Sequence, residues 1–166
     1  MLLTTVPAVY DPPSAVYSGL NGDHFDCATT AAVNIVARID GTPAESVAYV
    51  NALALNDFFA IAGSKDALGI TADQLFAFWH VTPILGATLE RAVPVADTKE
   101  ATRWAIWHYG ALFRTVMTGF TGHAEAVVGY SKANVYIETW GHRLAIPWTA
   151  YLATTTNAWA IVLSRS

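Results

Sequence analysis

Cysteine and charged residues are both scarce in this chain, and each scarcity excludes a class of protein. A single cysteine, Cys27, excludes an intrachain disulfide framework and a metal cluster held by several cysteines of one chain. Lys, Arg, Asp and Glu make up 13% of the residues, about half of the usual share, and they form no basic block. With a net charge of −4, this argues against a nucleic-acid partner and against an anionic membrane surface.

The low charge also limits what the surface is made of, since hydrophobic residues make up 54% of the chain. Too few charged side chains remain to cover the whole surface. Either part of the surface is buried in a protein assembly or against a second copy of the chain, or a broad apolar groove is left open. Composition alone leaves both alternatives open.

Segments that direct a chain to a membrane are also missing from the pattern. The first residues lack a basic stretch and reach Pro7 before an apolar run develops, so no signal peptide is predicted. Residues 144–164 carry no charge, but Pro147 and the polar run at 154–157 interrupt them too heavily for a membrane-spanning helix. We therefore expect a protein that is cytoplasmic on synthesis, with association with a virus particle as an open alternative.

The pattern of apolar residues predicts one domain over residues 1–166, with residues 1–14 as an N-terminal extension. Helical periodicity dominates the first half of the chain, where capping-box sequences begin at Thr42, Thr71 and Asp97. These features predict helices over residues 28–39, 42–55, 71–80 and 97–109.

The second half consists of short β-branched or aromatic runs separated by turn residues. Strands are predicted over residues 111–118, 124–130, 134–139, 142–147 and 158–163, with a helical turn over 149–154. Helices followed by an antiparallel sheet indicate an α+β fold.

Cys27 lies where a polar loop enters the first predicted helix. A thiol at a helix N-terminus feels the positive end of the helix dipole, which favours the nucleophilic thiolate. A small buried hydrophobic residue is the alternative interpretation of a lone cysteine.

His123 begins a predicted strand, and the two-residue period of a strand places Glu125 on the same face. Glu125 either lines a cleft, where it would select a basic substrate, or is a solvated strand residue. Glu138 and Thr139 end the following strand, which a hairpin brings back beside His123. A carboxylate there would accept the imidazole N–H and stabilise the imidazolium, whereas a surface histidine beside a solvated carboxylate is the alternative.

Three short motifs, in this order, resemble those of papain-like cysteine peptidases. Asn21-Gly22 precedes Cys27 as Gln-Gly precedes the nucleophile of that family. The stretch 122–130 resembles its Gly-His-Ala-Val…Val-Gly-Tyr strand, and the stretch 138–141 resembles its Asn-Ser-Trp-Gly. Within the superfamily the chain resembles C39-like peptidases more closely, since Asp26 directly precedes Cys27 and an Ala-rich helix follows. The resemblance covers residues 15–164 and implies a papain-like α+β fold.

This resemblance implies nucleophilic catalysis, in which the Cys27 thiolate attacks a carbonyl and His123 carries the thiol proton to the leaving group. The backbone N–H of Cys27 and the side-chain amide of Asn21 would form the oxyanion hole. Asn21 is one methylene shorter than the glutamine of the family. Trp140 and Glu125 are candidates for lining the substrate cleft.

The resemblance also implies a third residue that orients His123, and two positions compete for this role. Alignment on Trp140-Gly141 selects Glu138, where the families have Asn or Asp, whereas counting from His123 without a gap selects Thr139. The two point to opposite faces of a strand, so only one of them contacts His123. Glu138 is preferred because a hydroxyl is a poor partner for an imidazolium.

We therefore expect a cysteine peptidase or amidase that acts on a peptide or protein substrate: a precursor, an assembly protein or a cell-wall peptide. The histidines lack metal-ligand spacing and no nucleotide-binding loop is present, so neither a metal nor another cofactor is expected. Two alternatives stay open. One is a non-catalytic structural or interaction protein on the same fold, for example in a phage particle, and the other is an acyltransferase or cyclase that uses the same Cys–His pair.

Overall fold

The computed structural model describes residues 6–16, 27–41, 71–118, 121–139 and 141–165. Asn21, Trp140 and the helix predicted at 42–55 lie outside these residues. The helices described are α1 (Cys27–Asp40), α2 (Ala72–Val81), α3 (Lys99–Tyr109) and α4 (Trp148–Thr154). The strands described are β1 (Thr88–Pro94), β2 (Leu112–Thr118), β3 (Thr121–Tyr130), β4 (Asn134–Thr139), β5 (His142–Pro147) and β6 (Thr155–Ser164).

The described strands form one antiparallel sheet of six strands in the order β1-β6-β2-β3-β4-β5. The mixed α and β composition and the antiparallel sheet are confirmed, and the five predicted strands appear as β2 to β6. The expectation that the sheet begins only after the N-terminal helices is wrong, because β1 lies between α2 and α3. Glu90, Arg91 and Pro94 obscure the alternation of this strand, and it tolerates them because it lies at the edge of the sheet.

Local capping interactions determine where α2 and α3 begin. Thr71 accepts a hydrogen bond from the Gln74 backbone N–H at 3.1 Å, and the Gln74 side chain accepts one from the Thr71 backbone N–H at 2.9 Å. This is the capping box predicted from the sequence. Helix α3 is instead capped by Thr98, one residue later than predicted. Asp97 and Thr98 are both favourable capping residues, so the sequence did not distinguish them.

The sheet separates two hydrophobic cores, because alternate residues of each strand point to opposite faces. The α1 face carries Ala124, Ala126 and Val128 of β3 and is covered by α1 and α2. The α3 face carries Leu112 of β2 and Val127 of β3 and is covered by α3 and α4. Every side chain on β3 and β4 therefore lies on one of two chemically separate sides.

Among the described residues, no helix is long and apolar enough to cross a membrane.

Residues 6–16 form an N-terminal segment that packs against the sheet. Tyr10 exchanges two backbone hydrogen bonds with Tyr130, of 2.9 and 2.7 Å. The Tyr130 hydroxyl donates to the Pro7 carbonyl at 2.7 Å, and Arg143 donates to the Pro12 carbonyl at 3.2 Å. These contacts show that the segment runs from the end of β3 to the start of β5.

Gly129 is the point on β3 where the N-terminal segment passes too close for a side chain. A Cβ atom there would lie 2.5 Å from the Tyr10 carbonyl oxygen and 3.3 Å from the Asp11 Cα. We expect Gly129→Ala to displace the segment and to lower the free energy of unfolding by about 1–3 kcal/mol, measured by urea denaturation. Gly122→Ala is the matched control, since a Cβ on this residue of β3 would meet its nearest atom at 3.9 Å. Equal losses in the two variants would contradict the packing explanation.

Candidate active site

The direction of α1 determines where Cys27 lies relative to β3. Near the C-terminal end of the helix, Arg38 Nε donates to the Val128 carbonyl at 3.3 Å, and Asp40 pairs with Arg165, just beyond the end of β6. Strands β3 and β6 run in the same direction, since each is antiparallel to β2. Helix α1 therefore ends where β3 and β6 end, and it begins toward the start of β3.

Helix α1 and strand β3 also cover similar lengths. Helix α1 rises about 16 Å from Cys27 to Arg38, and β3 extends about 16 Å from His123 to Val128. Helix α1 lies along β3, with β2 and β4 on either side. Both candidate residues therefore lie at the same end of the α1–β3 layer, but on opposite faces of the sheet, with Cys27 against the α1 face and His123 on the α3 face.

Cys27 is the first residue of α1, and it is partly buried against the core on the α1 face. The first turn of the helix carries no acidic side chain that would oppose a negative charge. The helix dipole at this position favours the thiolate over the thiol.

His123 is buried and lies near the start of β3. Its Nε2 is 2.6 Å from Thr139 Oγ1 and 3.8 Å from Glu125 Oε2. Burial and the nearby positive charge of Arg114 lower the pKa of His123, so the imidazole is held neutral. Nε2 of the neutral imidazole either donates to the Thr139 hydroxyl or accepts from it, depending on the tautomer.

The register of the β3–β4 pair decides which candidate contacts His123. Ala126 is paired with Glu138, so Glu138 shares the α1 face with Ala126, whereas Thr139 lies on the α3 face beside His123. Thr139 is therefore the residue of the two that the structure brings to the imidazole. The sequence preference for Glu138 considered the strength of the partner but not the register of the strands.

Glu138 has a different environment on the α1 face. The Ser14 hydroxyl is 3.1 and 3.2 Å from its two carboxylate oxygens. Burial raises the pKa of Glu138 to about 7, although the hydrogen bond from Ser14 and the charge of Arg38 act in the opposite direction. Glu138 thus joins the sheet to the N-terminal segment.

Glu125 is buried and paired with a residue that the sequence analysis missed. Its Oε1 accepts a hydrogen bond from Arg114 Nη1 at 2.6 Å. Arg114 is on β2, where it is paired in register with Glu125. The interpretation of Glu125 as a solvated strand residue is therefore wrong. The available signal for Arg114 was its position between Leu112 and Val116, which places an arginine on an apolar strand face.

Two candidates lie outside the described residues, and their roles stay predictions. These are Asn21, assigned to the oxyanion hole, and Trp140, assigned to the substrate cleft. Among the described residues, no group of three or more His, Cys, Asp or Glu side chains is arranged to hold a metal ion.

Comparisons with protein-family models, with curated proteins and with solved structures gave no match for this chain. The resemblance to papain-like and C39-like peptidases therefore rests on its three short motifs.

Proposed function

We propose that the chain is a cysteine peptidase or amidase in which Cys27 is the nucleophile and His123 is the general base. The observation that supports this proposal is the buried His123 imidazole, 2.6 Å from Thr139, at the end of β3 toward which the N-terminus of α1 lies. His123 is on the α3 face and Cys27 is against the α1 face, so the proposed proton transfer requires the imidazole to turn round the start of β3. A nucleophile at a helix N-terminus and a base oriented by a third group form the usual constellation for covalent catalysis.

Proton transfer in the proposed site begins with movement of the Cys27 thiol proton to a ring nitrogen of His123. The thiolate then attacks the carbonyl carbon of the scissile amide, and the imidazolium returns the proton to the leaving amine. The backbone N–H of Cys27 and the Asn21 amide are proposed to stabilise the oxyanion. The proposed substrate is a peptide or protein: a precursor, an assembly protein or a cell-wall peptide.

Alkylation of the thiol tests this proposal directly, because Cys27 is the only cysteine in the sequence. At pH 7 we expect iodoacetamide to label Cys27 at least about tenfold faster than it labels glutathione, because an ordinary thiol is only a few per cent ionised at that pH. His123→Ala should remove most of this advantage. The rate is followed by mass spectrometry of the intact protein.

The control for the alkylation experiment is His108→Ala, which removes an exposed imidazole stacked on Trp104 and should leave the rate unchanged. A wild-type rate equal to that of glutathione, unaltered by His123→Ala, would sink the catalytic proposal.

A non-catalytic structural or interaction protein on the same fold is the second candidate. It is favoured by Glu138, which joins the N-terminal segment to the sheet through Ser14 rather than lying beside His123. The same alkylation experiment separates the two functions, since an unactivated Cys27 supports the second.

A further inference from the structure

We propose that Glu125 and Arg114 form a buried charge pair that controls the protonation of His123. Glu125, and not Glu138 as predicted from the sequence, is then the anionic partner of His123. Both members are positioning residues, since they act through the imidazole. The consequence for catalysis rests on the proposed function, whereas the control of His123 does not.

The two oxygens of the Glu125 carboxylate face different groups. Oε1 is 2.6 Å from Arg114 Nη1, and Oε2 is 3.8 Å from His123 Nε2. The side chains of His123 and Glu125 are each 8% exposed. Water therefore screens this charge weakly, and the carboxylate acts on the imidazole at short range.

Arg114 is anchored by the residues that join α4 to β6. Its guanidinium donates to Thr154 Oγ1 at 2.5 Å, to Thr155 Oγ1 at 2.8 Å and to the Tyr151 carbonyl at 3.4 Å. It also lies 4.5 Å from the centre of the Tyr151 ring. These contacts hold the guanidinium in place, and its hydrogen bond to Oε1 holds the Glu125 carboxylate.

Among the described residues, the charges near His123 lie on β2 and β3. Arg114 on β2 disfavours the imidazolium, and Glu125 on β3 favours it. Strand β4 contributes the neutral hydroxyl of Thr139, because Glu138 lies on the α1 face. Helix α1 begins with Cys27 at the same end of the layer, and the Tyr151 ring of α4 lies beyond Arg114. The protonation of His123 therefore depends on whether Glu125 balances Arg114.

Titration of His123 by NMR tests the inference without relying on catalysis. The full chain with Cys27→Ala is used, so that the thiol does not titrate, and the His123 signal is assigned by its loss in His123→Gln. We expect Glu125→Gln to lower the pKa of His123 by about one unit or more, because the arginine is then unbalanced. The matched control is Glu138→Gln, the same substitution on the opposite face, which should leave the titration of His123 unchanged.

Each outcome supports or overturns the assignment. An unchanged titration in Glu125→Gln, or a lowered pKa of His123 in Glu138→Gln alone, overturns it. If Glu125→Gln does not fold, Glu125→Asp draws the carboxylate back by one methylene and should lower the pKa of His123 by a smaller amount. A lowered His123 pKa together with slow alkylation of Cys27 in the wild type would uphold the charge pair and reject the proposed catalysis.

Discussion

Replacement of Arg114 by methionine will lower the free energy of unfolding by about 3–5 kcal/mol, because it leaves the Glu125 carboxylate buried without its cation. The side chain of Arg114 is 2% exposed, so water does not replace the lost partner. The variant also loses the hydrogen bonds from the guanidinium to Thr154 and Thr155. Urea denaturation at pH 7 measures the loss.

The double variant Arg114→Met/Glu125→Met shows whether the unpaired charge causes this loss. Replacing both partners by apolar side chains removes the desolvation cost of each, so we expect the double variant to recover more than half of the lost stability. Arg143→Met is the matched control for removal of an arginine from an ion pair. Arg143 pairs with Asp11 at a more exposed site, and its loss should cost at most about 1 kcal/mol. A double variant as unstable as Arg114→Met would contradict the explanation.

Glu138→Gln will stabilise the protein in alkaline solution far more than in acid. Burial raises the pKa of Glu138 from its ordinary value of 4.5 to about 7. The folded state therefore favours the protonated carboxyl. This preference is fully present below pH 4.5 and is lost as the pH rises through 7. A shift of this size corresponds to about 3 kcal/mol of stability. The amide introduced by Glu138→Gln stays neutral throughout, so the advantage of the variant over the wild type grows across this interval by a similar amount.

Chemical denaturation of wild type and Glu138→Gln at pH 4.5 and pH 8 measures this change. The quantity of interest is the difference between the two proteins, because His123 and Glu125 titrate in both. Glu90→Gln, the same substitution at an exposed position on β1, serves as the control and should change the stability little. If the stability difference between Glu138→Gln and the wild type is the same at the two pH values, the raised pKa of Glu138 is refuted.

Local signals carried most of the prediction of secondary structure. The capping box at Thr71 predicted the start of α2, and the change from helical to strand periodicity near residue 110 predicted the strands that follow. Both signals depend only on residues that are close together in the sequence. Strand β1 lacked such a signal. Glu90 and Arg91 are acceptable there because β1 is an edge strand among the described residues, and its position in the sheet depends on pairing with the distant β6.

The site was harder to predict, because its contacts depend on how strands are paired. The alternation of β4 showed that Glu138 and Thr139 face opposite ways, but only the pairing of Ala126 with Glu138 shows which of them lies beside His123. A register shift between Val127 and Gly129 interrupts that pairing. Arg114 was missed for a similar reason, since a charged residue is acceptable on an apolar face only when its partner lies directly across the neighbouring strand.

The position of β6 in the sheet has a consequence for how the protein is made. It follows the other described strands in the chain, yet it lies between β1 and β2. On the ribosome, β2 to β5 find their neighbours in order as they emerge, whereas β1 has to wait for residues 155–164. Leu89 of β1 and Ile161 of β6 belong to one core, and that core stays open until the nascent chain has delivered both. The insertion of β6 between β1 and β2 is thus the last step in closing the described sheet.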